Sequence, residues 1–217
     1  MISSKMNKLR LFCLPYAGGS AALYFKWKKY LPNFIELCPI ELAGRGGRFK
    51  EACYETLLDA VDDVCNQVKK YLDERPYALF GHSMGSLIVY ELYYKLKEDH
   101  QQLPCHIFFS GGAPPHIRKD KPMVHTLPDG QFKEAIMKLG GMSEELFEDE
   151  ELAKIFIPLL RADYRILETY QYIERTERIE CDLTLLGGKE DPEVLIEDLS
   201  QWGRYTKGKS ELYEFEG

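Results

Sequence analysis

Five consecutive residues, Gly81-His82-Ser83-Met84-Gly85, carry the chain's clearest chemical signal. They lie between an apolar run, Tyr77 to Phe80, and a helix-patterned segment, Ser86 to Leu96. A strand that turns abruptly into a helix at Gly-x-Ser-x-Gly holds its serine in a strained backbone at the top of a sheet. Gly81 and Gly85 leave room for strand and helix to pass closely. The helix then aims its free N–H groups and positive dipole end at the place where negative charge grows as a serine oxygen attacks an acyl carbon. Ser83 is therefore the candidate nucleophile, and Gly81, His82 and Gly85 complete the elbow that presents it.

Such a serine needs an orienting acid, a base and a pair of oxyanion donors. The acid should follow the nucleophile in chain order, in a loop after a strand. Asp191 fits, in the turn Gly187-Gly188-Lys189-Glu190-Asp191-Pro192 beyond the strand-like Leu183–Leu186. Glu190 is its nearest rival and Asp163 a more distant one. The oxyanion donors are expected to be the Met84 backbone N–H and one from the loop Pro15-Tyr16-Ala17-Gly18-Gly19, assigned to Ala17 with Tyr16 as the neighbouring alternative. The base is harder to place. All five histidines (His82, His100, His106, His116, His125) precede Asp191, whereas the expected order is serine, acid, histidine. His82 should point away from the nucleophile, and the other four read as structural or exposed. The histidine base and a final helix are expected past Gly217, so the chain reads as lacking its C-terminal catalytic segment.

The elements that must position these residues alternate. Strands are predicted at 9–14, 35–40, 77–80, 105–110, 183–186 and 211–215, with helices near 21–30, 54–72, 86–96 and 194–202 between them. In the 54–72 segment Leu57, Leu58, Val61, Val64, Cys65 and Val68 recur at helical spacing, one apolar face. Alternation of this kind predicts a mostly parallel sheet with helices on both faces, its ligand outside the carboxyl ends of the strands. The pattern breaks between about 118 and 178, where only helical segments are expected, near 129–139, 143–148 and 149–173, the last kinked by Pro158. An all-helical insertion between two strands reads as a lid. The whole is an α/β-hydrolase pattern, one domain over 1–217 with a helical lid insertion at 118–178.

Composition narrows the function classes. With 45% hydrophobic and 29% charged residues the chain is an ordinary globular protein, and its formal charge of −7 argues against a nucleic-acid binder. The six cysteines form no Cys-x-x-Cys pair and sit mostly in apolar runs, so free thiols are expected rather than a disulfide framework or metal site. The polar N-terminus is no signal peptide, and no apolar run is long enough to span a bilayer. A cytoplasmic protein without a membrane partner is the expectation.

Several segments together resemble the type II thioesterases that accompany non-ribosomal peptide and polyketide synthetases. They are Leu14-Pro15-Tyr16-Ala17-Gly18-Gly19-Ser20, Gly44-Arg45-Gly46 through Arg48, Phe80 through Gly85, Gly111 through His116, Leu139-Gly140-Gly141-Met142, Arg161-Ala162-Asp163-Tyr164 and the Gly188-to-Asp191 turn. Ala43 departs slightly, standing where many members have proline. The resemblance implies Ser83 as nucleophile, Asp191 as acid, and a base in a Gly-His-Phe-type segment after the last strand, with which nothing up to Gly217 aligns. It implies hydrolysis of acyl thioesters on the phosphopantetheine arm of an acyl or peptidyl carrier protein, by a monomer with no cofactor or metal of its own. Basic residues at the site mouth, Arg118, Lys119 and Lys121 or else Arg45 and Arg48, are candidates for docking an acidic carrier. Rival expectations are a small-molecule carboxylesterase of the same fold and a non-catalytic carrier-binding module.

Overall fold

In a computed structural model the described residues are 8–117, 122–138 and 149–216. Expectations for Arg118, Lys119, Lys121, Met142 and the helix at 143–148 fall outside them. Six strands, β1 (Leu9–Leu14), β2 (Ile35–Pro39), β3 (Tyr77–His82), β4 (His106–Ser110), β5 (Asp182–Gly188) and β6 (Ser210–Phe215), form one sheet in the order β2-β1-β3-β4-β5-β6. Every neighbouring pair is parallel. The order reverses between β1 and β3, which opens a crevice at their carboxyl ends. The loop after β1 and the turn after β3 therefore meet there, before any side chain is considered.

Helices cover both faces, as the alternation requires. On one face α1 (Leu57–Lys69) and α2 (Met84–Glu98) pack on Phe12, Leu14, Leu79, Ile107, Phe109, Leu183 and Leu185. On the other, Tyr24 and Trp27 of the 3₁₀ segment Ala21–Lys29 lie over Leu11, Cys13, Ala78 and Phe80. That segment was expected as an α-helix. It opens at Ala21, whose N–H donates to the Glu41 carboxylate at 3.1 Å.

The start of α1 is set by a reciprocal cap: Thr56 Oγ1 accepts from the Asp59 N–H at 3.1 Å, and the Asp59 carboxylate from the Thr56 N–H at 2.9 Å. Its buried face is Leu57, Ala60, Val61, Val64, Cys65 and Val68, while Leu58 is exposed, so Ala60 takes the place expected of Leu58.

Between β4 and β5 the described residues contain no strand. They form α3 (Asp129–Lys138) and α4 (Glu150–Thr169), the helical insertion that the broken alternation predicts. α4 begins at Asp149, whose carboxylate accepts from the Glu151 and Leu152 N–H groups, and it runs through Pro158 as one helix. Its buried positions are Ala153, Ile157, Leu159, Leu160, Asp163 and Ile166, whereas Leu152 and Ile155 of the expected stripe are exposed. After β5 come α5 (Ile196–Ser200) and a 3₁₀ turn that buries Trp202, where one longer helix was expected. All six cysteines are free; Cys13 and Cys65 are buried and Cys105 is exposed. No described helix is long and apolar enough to cross a membrane.

Candidate active site

Ser83 is exposed between β3 and α2, with φ 51° and ψ −112°. A non-glycine residue held there costs about 1–3 kcal/mol. Close packing enforces it. A Cβ on Gly81 would lie 2.3 Å from the Gly85 carbonyl oxygen, and one on Gly85 would lie 2.3 Å from the Leu14 carbonyl oxygen. Only a chain without side chains at both positions lets the end of β1, the end of β3 and the start of α2 converge. The turn is pinned from β4, because the Ser110 carbonyl accepts from the Ser83 N–H at 2.8 Å and from Ser86 Oγ at 3.2 Å, and Ser86 Oγ also bonds the Gly81 carbonyl of β3 at 2.8 Å. Met84 opens α2, so its N–H is one of the helix's unshared donors.

His82, expected to point away from the nucleophile, contacts Ser110 and Tyr16. Its Nδ1 lies 3.0 Å from Ser110 Oγ, and Tyr16 meets the ring edge-on with centroids 5.7 Å apart. Burial lowers its pKa below the ordinary histidine value, partly opposed by the nearby Asp191 charge.

In the loop after β1, each backbone donor has a distinct fate. The Gly19 N–H donates to the Tyr16 carbonyl at 2.9 Å, and the Gly18 N–H to Asp163 Oδ2 at 2.7 Å. Among the described residues no acceptor takes the N–H of Tyr16 or of Ala17. These are the two positions weighed for the second oxyanion donor. Gly18, with φ 78°, supplies the left-handed turn that separates them from Gly19.

Asp163, entertained as an alternative acid, has another place. It is buried, and Arg45 grips it with two bonds, Nη1 to Oδ2 and Nη2 to Oδ1, both 2.7 Å. Arg45 also donates to the carbonyls of Gly19 at 3.1 Å and Ala43 at 3.3 Å. Arg48 is likewise engaged, with Asp63 and Glu51. The expected docking patch at Arg45 and Arg48 is corrected: a fork-paired arginine inside the protein, and another tied to two carboxylates, offer no free basic surface. Sequence reasoning picked out both motifs but missed their contact. The available signal was a carboxylate on the apolar stripe of α4, which must find a buried partner.

Asp191 sits in the turn after β5, half-buried, while Glu190 beside it is exposed. One carboxylate oxygen, Oδ1, accepts from the Glu193 and Val194 N–H groups at 2.8 and 3.1 Å, which fixes the group's orientation. Among the described residues no donor occupies Oδ2. An oriented carboxylate with one oxygen open is what an imidazole partner needs. The other four histidines lie elsewhere. His106 Nε2 meets Thr184 Oγ1 at 2.8 Å, His116 Nδ1 meets the Tyr205 hydroxyl at 2.7 Å, His125 pairs with Glu168, and exposed His100 ends α2 with φ 53°. None is bonded to Ser83 or Asp191.

A groove of 670 Å³ runs beside the edge strand β2, lined by Phe25, Lys28, Leu31, Pro32, Ile35 and Leu37 among others. It includes neither Ser83, Met84, Ala17 nor Asp191. No group of three or more potential metal ligands occurs among the described residues.

Known proteins similar to this chain add an independent line. The family model described as "Thioesterase domain" matches residues 9–217. Linear gramicidin dehydrogenase LgrE of Brevibacillus parabrevis is 37% identical, covering 100% of this chain and 84% of its own. The gramicidin S biosynthesis protein GrsT of Aneurinibacillus migulanus is 38% identical, covering 97% and 81%. Among solved structures, ClbQ from the colibactin NRPS/PKS pathway superposes with a TM-score of 0.92 at 38% identity, over 96% of this chain and 87% of that one. The dehydrogenase name belongs to the first relative; here the serine elbow and the family match both point to hydrolysis.

Proposed function

From the premise that this chain belongs to the thioesterase-domain family, and is closely related to the type II thioesterases of non-ribosomal peptide and polyketide pathways, we propose how it works and on what. The substrate is an acyl or aminoacyl thioester on the phosphopantetheine arm of a carrier protein, and the product is the freed carrier thiol. The observation that carries this reading is the strained, exposed Ser83 at the head of α2, facing the crevice between β1 and β3.

Ser83 Oγ attacks the thioester carbonyl as the base that Asp191 orients takes the hydroxyl proton, and collapse of the adduct breaks the C–S bond. The oxyanion is received by the Met84 N–H and the Ala17 N–H, with the α2 dipole adding to both. The carrier thiol leaves as a thiolate, since a thiol of ordinary pKa near ~8.5 departs with little protonation. Water then releases the acid from the Ser83 ester, and this step depends most on a base. Asp191 orients that base through Oδ2. The helical insertion acts as the lid of the site, and the enzyme works as a cytoplasmic monomer that the carrier protein visits.

The test is intact-mass spectrometry of an acyl-loaded carrier protein incubated with this protein. Loss of the acyl mass, abolished by Ser83→Ala, is expected. Cleavage of small oxygen esters with the carrier left loaded would move the reading to a carboxylesterase. Carrier binding without cleavage of either would favour a binding module.

A further inference from the structure

Three segments far apart in sequence meet at one buried carboxylate. Asp163 lies in α4, Arg45 in the loop after β2, and Gly18 and Gly19 in the loop after β1. The Asp163 and Arg45 side chains are 2% and 3% exposed, and their two bonds are each 2.7 Å. Pairing alone would leave Asp163 free to point anywhere Arg45 could follow. Instead Oδ2 also takes the Gly18 N–H at 2.7 Å, and Arg45 reaches the Gly19 carbonyl at 3.1 Å. The ion pair therefore grips the loop backbone by a donor and an acceptor in succession.

We propose that Asp163 is a positioning residue for acyl transfer, holding the loop after β1 so that the Ala17 N–H faces the oxyanion. This rests on the Ser83 reading given above. The loop's composition makes an anchor necessary. Ala17-Gly18-Gly19 can adopt many backbone conformations, and without an anchor several would turn the Ala17 peptide away from the crevice. By taking the Gly18 N–H for itself, Asp163 fixes the peptide next to Ala17 and removes Gly18 as a competing donor. A peptide carbonyl could not do this equally well, because a charged acceptor held by a guanidinium fork is stronger and directionally fixed. The same contact makes oxyanion geometry depend on α4, so the helical insertion supports the chemistry as well as covering it.

The first experiment needs no variant. Backbone amide exchange in the full-length protein, followed by NMR, should find the Gly18 amide protected; a freely exchanging Gly18 amide overturns the proposal. The second compares Asp163→Asn with the double variant R45Q/D163N. The asparagine side chain can still accept from Gly18 but leaves a buried cation unpaired, whereas the double variant removes that charge and keeps a polar pair. For Asp163→Asn, kcat on an acyl-pantetheine thioester should fall about 10- to 100-fold, as expected for a displaced oxyanion donor. KM should stay within about threefold, affinity for a trifluoromethyl ketone should fall in step with kcat, and the double variant should recover most of the loss. An unchanged kcat in folded Asp163→Asn, or unchanged trifluoromethyl ketone affinity, would overturn it. If Ser83→Ala keeps full activity, the Ser83 reading has failed instead, and amide exchange still decides whether Asp163 holds the loop.

Discussion

The two halves of the candidate oxyanion site are built by opposite means. At the elbow, geometry comes from what is missing: Gly81 and Gly85 carry no side chain, and neighbouring backbones close to within a distance no Cβ would tolerate. At the loop after β1, geometry comes from what is supplied at long range, a buried Arg45–Asp163 pair reaching from a different loop and a different helix. The first device is local, so changing it should disturb packing wherever the change is made. The second is an ion pair, so its two members should fail singly and tolerate joint replacement. Conformation enforced by exclusion and conformation enforced by attachment leave different signatures in mutant data.

The largest effect should come from the acid that orients the base, outside both halves. Asp191→Asn should lower kcat by roughly 10²–10⁴-fold through loss of a correctly oriented base, while Glu190→Gln should stay within about twofold. Steady-state hydrolysis of an acyl-pantetheine thioester measures both. If the two variants fall equally, the acid is misassigned.

Stability separates the two devices. Asp163→Leu alone should cost about 3–5 kcal/mol by leaving Arg45 charged and unpaired, whereas Arg45→Met with Asp163→Leu should be far closer to neutral. Urea midpoints at constant m-value test this, and equal losses would mean that the pair acts through packing rather than charge. Gly85→Ala should cost about 1–3 kcal/mol or more, since its Cβ would meet the Leu14 carbonyl oxygen at 2.3 Å. Gly47→Ala, where a Cβ meets nothing within 4 Å, should stay within about 0.5 kcal/mol. A pair-like rescue at the elbow, or an elbow-like indifference to charge at the pair, would break the distinction.

The smallest effect concerns protonation. Burial lowers the pKa of His82, His106 and His116 below the ordinary histidine value. Below about pH 6.5 the unfolded chain therefore takes up protons that the folded chain refuses. Stability should fall as pH drops from 7 towards 5.5 and be regained on return. His106→Gln, which can keep a bond to Thr184, should flatten that dependence slightly in urea titrations at the two pH values. A steeper dependence in the variant would contradict the burial account.

The same distinction explains what could be read from the sequence. The elbow was legible because its parts are five residues in a row, flanked by a strand pattern and a helix pattern. The parallel sheet followed from alternation, and the turn after β5 announced Asp191 by its place after a strand. The Arg45–Asp163 contact joins residues 118 apart in sequence, which no local pattern encodes. Its trace was indirect, an aspartate among Ile157, Leu160 and Ile166 on one face of α4. Leu58 was misplaced for a related reason. Helical spacing gives a stripe but not its edges, and here the buried face takes in Ala60 and leaves Leu58 exposed. The 3₁₀ form of Ala21–Lys29 was hidden as well, because its spacing serves two aromatic contacts over the sheet, Tyr24 and Trp27 on Phe80.

The central claim, that the elbow makes Ser83 the nucleophile, is met most directly by covalent labelling. The full-length protein would be treated with a fluorophosphonate and its peptides mapped by mass spectrometry. The phosphonyl group should be found on the peptide bearing Ser83, at Ser83 rather than Ser86, with labelling lost in Ser83→Ala. A label on another serine, or labelling that survives in Ser83→Ala, would contradict it.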